Sequence, residues 1–146
     1  MRARTLSLVL AVVCAVGGFT QSARAESPQV AWQTDIDAAW RSTKEDRRLL
    51  LLFVKSDRCF YCEKMERESY ANPGVVKVIG DDYVPAALHA SKRPELTKKM
   101  GIQAYPTTVL IDSDGQIVDV VEGYVAPDKF LQWLRAAAQR TAKLER

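Results

Sequence analysis

The chain has 146 residues, with 21 Lys and Arg against 18 Asp and Glu, a single His and a formal charge of +3. Arg2, Arg4 and Arg24 all precede residue 26, so the remainder carries 18 cations and 18 anions, and composition gives no reason to expect nucleic acid or an anionic membrane as partner. Its length suits one domain around one core, and three cysteines are too few for a scaffold stapled by disulfides.

Met1 to Arg4 is basic, Leu6 to Phe19 is an apolar run, and Ala23 Arg24 Ala25 follows. That order predicts a secretory signal peptide over residues 1–25, cleaved after Ala25. The run of fourteen residues is shorter than the roughly twenty that a membrane-spanning helix needs. Cys14 would leave with it, and Cys59 and Cys62 would be the cysteines of an exported protein.

After a short leader, residues 26–31, a domain is expected over 32–146. Ala31, Trp32, Ile36, Ala39 and Trp40 recur at helical spacing, with Thr34 as N-cap and an end near Arg48. Leu49 to Val54 is apolar throughout, as in a strand covered on both faces. Ser56 Asp57 Arg58 turns the chain into a helix over about Cys59 to Tyr70, and Asn72 Pro73 then caps and opens another that carries Val75, Val76 and Ile79. Tyr83 to Leu88 reads as a strand at the sheet edge, because Pro85 lacks a ladder donor. A short helix over Arg93 to Met100 stops at Gly101. Thr107 to Ile111 and Gln116 to Glu122 form a hairpin about Asp112 Ser113 Asp114 Gly115. From Pro127 a last helix buries Phe130, Leu131, Trp133, Leu134 and Ala137. The sum is an α/β fold, a four-stranded and at most five-stranded mixed sheet with helices on both faces.

The chemistry gathers at Cys59 Phe60 Tyr61 Cys62, where a buried strand delivers two thiols to the start of a helix. Thiolate, not thiol, attacks a disulfide, and free cysteine with a pKa of about 8.5 is mostly protonated at neutral pH. Unpaired amides and the positive end of the helix dipole favour a charged sulfur at Cys59, which is therefore the expected nucleophile. Cys62, one turn further in, is the expected resolving thiol. A structural disulfide here would close a tiny loop and constrain the unfolded chain little. Zinc needs about four ligands, and His89 is the one other soft candidate. A copper carrier using both thiols, with Met65 as a third ligand, stays open as an alternative, although Met65 at helical spacing from Cys62 also suits the core.

With "LLLLFVKSDRCFYCEKME" upstream and "MGIQAYPTTVLIDSDGQIV" downstream, the chain resembles the thioredoxin superfamily, in particular its small exported, periplasmic-type members. The resemblance runs over nearly all of Trp32 to Leu144. It implies a thioredoxin-like fold and a cis Tyr105–Pro106 bond beside the dithiol. Implied too is a thiol-disulfide oxidoreductase without cofactor or metal, monomeric, acting on protein or peptide disulfides and dithiols. Reduction is the expected direction, with a membrane electron relay recharging the protein; a non-catalytic binding module or metal-handling partner is the alternative. Phe60 and Tyr61 would set the redox poise and, with Tyr105 and Pro106, meet the substrate. Arg58 stands where thioredoxins usually carry tryptophan, and its charge would either tune Cys59 or simply face solvent.

One departure stands out. The family carries a buried aspartate six residues before the first cysteine and a lysine nineteen before the cis-proline; here those positions are Phe53 and Ala87. Losing both together is what electrostatics requires, since one buried unpaired charge costs several kcal/mol. Proton acceptance from Cys62 then falls to water, Glu63 or Lys64.

Overall fold

The structure, a computed structural model, describes residues 29–144; the expected signal peptide lies outside them. In chain order the elements are α1 (Ile36–Asp46), β1 (Leu49–Lys55), α2 (Phe60–Glu68), α3 (Pro73–Asp82) and β2 (Tyr83–His89). A 3-10 turn (Ala90–Lys92), α4 (Pro94–Lys99), β3 (Thr107–Ile111), β4 (Ile117–Glu122) and α5 (Pro127–Leu144) follow.

The sheet has the order β2-β1-β3-β4, with β1 parallel to β2 and antiparallel to β3. Its apolar run puts β1 in the middle, because alternate residues supply two cores. Leu49, Leu51 and Phe53 point into a cluster with Cys62 and Met65 of α2, Val75 and Ile79 of α3, and Phe130 and Leu134 of α5. Leu50, Leu52 and Val54 point the other way, to Ile36 and Ala39 of α1, with Leu96 and Met100 at the margin. Helices therefore cover both faces of a four-stranded mixed sheet.

Pro85 does lie on the edge strand. Gln33 pairs with its outer side, donating to the Pro85 carbonyl at 3.0 Å and accepting from the Ala87 amide at 2.9 Å. This pairing holds residues 30–33 extended: Val30 and Trp32 pack on the core instead of entering α1. The helix begins later than its periodicity suggests, and its N-cap is Asp35, not Thr34. Asp35 accepts from the amides of Asp37 and Ala38, each at 3.0 Å, and these bonds hold its carboxyl below the usual range. Arg47, at φ 54°, ends α1 in a left-handed turn, one residue short of Arg48.

Asn72 caps α3 through bonds to the amides of Gly74 and Val75, with Pro73 in the first turn. α2 stops at Glu68, before the expected Tyr70, so the two helices are separated by a short break. At the hairpin Asp112 accepts from the amides of Asp114 and Gln116, and Gly115 takes φ 86°. On α5, Phe130, Leu134 and Ala137 are buried, whereas Leu131 and Trp133 lie half-buried at the margin. Trp133 stacks on Phe130 at 5.6 Å while its indole N–H reaches Asp119 at 3.1 Å, a placement that serves both its apolar and its polar end.

Candidate active site

The site forms where β1 ends. Arg58 adopts φ 53°, a left-handed conformation uncommon for a side-chain-bearing residue, and this turns the chain from the strand into α2. Cys59 is consequently the N-cap of α2 and not its first residue, at φ −100° and ψ 98°. Its sulfur accepts the Cys62 amide at 3.1 Å. The sulfurs of Cys59 and Cys62 are bonded, with Cα atoms 5.2 Å apart. Their exposures differ: Cys59 is half-buried, whereas Cys62 is 2% exposed. A disulfide so placed offers one sulfur to solvent and keeps the other in the core.

The Tyr105–Pro106 bond is cis. Val54 near the end of β1 pairs with Thr107 at the start of β3, so the loop that follows one and the loop that precedes the other lie at the same end of the sheet. Pro106 is buried, and its carbonyl accepts the Gly123 amide at 2.7 Å. Thr107 ties back to the Ala104 carbonyl at 2.7 Å. Tyr105 is half-buried and packs against both cores. Phe60 and Tyr61, by contrast, are 64% and 56% exposed, with their rings in an edge-to-face pair 5.4 Å apart. Both rings thus face solvent in the first turn of α2 and take no part in the core. Arg58 is exposed beside them.

Phe53 is fully buried and Ala87, its register partner on β2, is half-buried. The positions vacated by the family's charge pair thus lie side by side on the face that holds Cys62, filled by apolar side chains. Of the substitutes expected from sequence, Glu63 is 3.8 Å from Arg67, and the Lys64 ammonium lies 4.3 Å over the Tyr124 ring. Both have partners of their own on the solvent side. Met65 is fully buried, and its sulfur accepts the Val125 amide at 3.4 Å, which places it in the core and not in a ligand set.

Sequence reading missed an ion pair and a histidine–carboxylate contact flanking the turn into α2. Lys55 and Glu66 are 2.6 Å apart, and His89 Nδ1 lies 3.3 Å from Asp57. It also missed the buried bond between the Tyr70 hydroxyl and Thr108, 2.7 Å long. Burial pushes the Tyr70 phenol above its ordinary range. Lys55 at the end of an apolar run was the one available signal, since a charge continuing the inward face of a strand needs a partner.

A family model described as a thioredoxin-like domain matches residues 36–138, which hold both cysteines and the cis-proline. The chain belongs to the thioredoxin-like domain family. Solved thioredoxin-like structures superpose closely. A thioredoxin from Thermus thermophilus aligns with a TM-score of 0.71 at 20% identity, covering 81% of this chain and 94% of that one. A protein described as DsbH oxidoreductase gives 0.69 at 16%, covering 84% and 93%. The DsbD C-terminal domain of Neisseria meningitidis, in its reduced form, gives 0.60 at 24%, covering 69% and 92%. At these identities the likeness establishes the thioredoxin-like fold. An uncharacterized protein of Caenorhabditis elegans is 26% identical over 69 residues, which are 47% of this chain; the chain spans about a tenth of that relative's length. Among the described residues no helix is long and apolar enough to cross a membrane.

Proposed function

We propose that this thioredoxin-like protein is a thiol-disulfide oxidoreductase that cycles between the Cys59–Cys62 disulfide and the dithiol. One observation carries the reading: a half-buried sulfur caps the start of a helix and is bonded to a buried sulfur one turn along. In the reducing direction the Cys59 thiolate attacks a substrate disulfide, forming a mixed disulfide and releasing one substrate thiolate. Cys62 then attacks the Cys59 sulfur, which closes the protein disulfide and expels the second substrate thiolate. Two electrons pass from protein to substrate.

The amides at the start of α2 and the helix dipole stabilise the Cys59 thiolate, and the adjacent Arg58 charge adds to them. The exposed Phe60 and Tyr61 rings and the loop of Tyr105 and Pro106 receive a peptide segment of the substrate, protein disulfides being the substrate class. The basic, apolar and AxA segments at the start of the chain support export, and a periplasm-like compartment is the proposed location. An exported reductant draws its electrons through a membrane relay, since that compartment is oxidising.

Two measurements test this. Alkylation of reduced Cys59 at graded pH gives an apparent pKa well under that of free cysteine, about 8.5; an ordinary value favours a non-catalytic binding module. The Cys62→Ser variant retains clients as mixed disulfides on Cys59, and recovery of none from the native compartment counts against catalysis.

A further inference from the structure

Cys62 has to lose a proton before it can close the disulfide, and the core around it offers few acceptors. The buried members of its cluster are apolar apart from two hydroxyls, those of Tyr70 and Tyr83. Tyr70 is engaged with Thr108, and Tyr83 donates to the Leu134 carbonyl at 2.6 Å. Glu63 and Lys64 are engaged on the solvent side, as described. Glu66 is different. It lies four residues beyond Cys62 on α2, so the two share a helix face with Cβ atoms about 5–6 Å apart.

Lys55 fixes that carboxylate. It continues the inward series Leu49, Leu51, Phe53 along β1, and its ammonium is 2.6 Å from Glu66 and 6.0 Å over the Phe53 ring. Side-chain exposures are 24% for Lys55 and 36% for Glu66, so the pair is partly shielded but reached by solvent. Glu66 also borders an open surface pocket of about 340 Å³ together with Val30, Trp32, Arg67 and Tyr70, so its carboxylate can exchange protons with solvent. From this packing we infer that Glu66, oriented by Lys55, is the proton acceptor for Cys62 in the disulfide-closing step.

The inference rests on the dithiol reading above. In the step, the Cys62 thiol passes its proton to the Glu66 carboxylate one turn along the same helix face, and the resulting thiolate attacks the Cys59 sulfur. The Cys59–substrate bond breaks, the substrate leaves as thiolate, and Glu66 returns its proton to solvent. The ionisable groups that face or adjoin Glu66 are Lys55 from β1 and, from the α2 side, Arg67 and Tyr70. Beside Lys55, His89 on β2 faces Asp57.

Reduced protein mixed with dithiobis(nitrobenzoate) separates the steps. Attack by Cys59 releases one coloured thiolate, and attack by Cys62 releases the second. Glu66→Gln is expected to leave the first phase unchanged and to slow the second at least about tenfold at neutral pH, with its pH profile displaced upward. Glu66→Asp restores much of the rate, and Lys55→Met slows the second phase alone. A second phase in Glu66→Gln with wild-type rate and pH profile overturns the proposal and leaves the dithiol reading standing. Equal slowing of both phases overturns it too, as loss of structure would act on both. Failure of the wild-type protein to release the second thiolate instead overturns the dithiol reading itself.

Discussion

Phe53→Asp restores half of the family's charge pair to a site built without it. Phe53 is fully buried, its ring 4.8 Å from Tyr70 and 5.7 Å from Trp32. Removing such a ring costs about 3–5 kcal/mol. The new carboxyl adds a second cost with its own signature, since burial disfavours its charged form and raises its folded pKa above the unfolded value of about 3.9. The fold then binds the proton more tightly than the unfolded chain does, so stability falls as pH rises. The slope is about 1.4 kcal/mol per pH unit until the folded pKa is passed. A rise of about three units adds about 4 kcal/mol at neutral pH. Together these approach the whole stability of a domain, about 5–15 kcal/mol. Ala87→Lys on the same background places an ammonium at the register partner. At about 4 Å and an effective dielectric near 20, attraction is worth about 4 kcal/mol, enough to remove most of the pH slope. Urea unfolding of both variants, followed at about pH 5 and about pH 8, measures the slope directly. A pH-independent loss in Phe53→Asp, or a double variant with the same slope as the single, refutes the electrostatic account of the Phe53 and Ala87 exchange.

Asn72→Ala removes the side-chain bonds to Gly74 and Val75 and is expected to cost about 1 kcal/mol in chemical denaturation, with Asn72→Asp close to wild type. Tyr70 makes the protein sensitive to alkali. Burial raises its folded pKa above the ordinary 10.0, so its contribution is fully present below that value and is lost as pH rises above it. Tyr70→Phe flattens this alkaline decline but costs about 1–3 kcal/mol at neutral pH, because Thr108 loses its buried partner; thermal unfolding across the alkaline range reads both effects.

Much of the fold was legible because its signals are short-range. The unbroken apolar run of β1 requires cover on both faces, which made it central; Pro85 required an edge; Asn72 Pro73 and the Asp112 to Gly115 turn carry their conformations in their own side chains and dihedrals. The two cysteines at a helix start needed only their spacing and the strand before them. Other features depended on which elements come together. Thr34 and Asp35 are adjacent and both able to cap α1, and the choice fell to Asp35 because Gln33 is held against β2. Glu66 and Lys55 are eleven residues apart on different elements, and nothing local distinguishes Glu66 from Glu63 or Glu68 as the carboxylate that pairs with Lys55. Hydrophobic periodicity and turn chemistry are properties of neighbours along the chain, so sequence determined the order of elements and the dithiol. The partner of a long charged side chain is settled by how helix and strand pack, so only the tertiary structure decided which carboxylate of α2 meets Lys55.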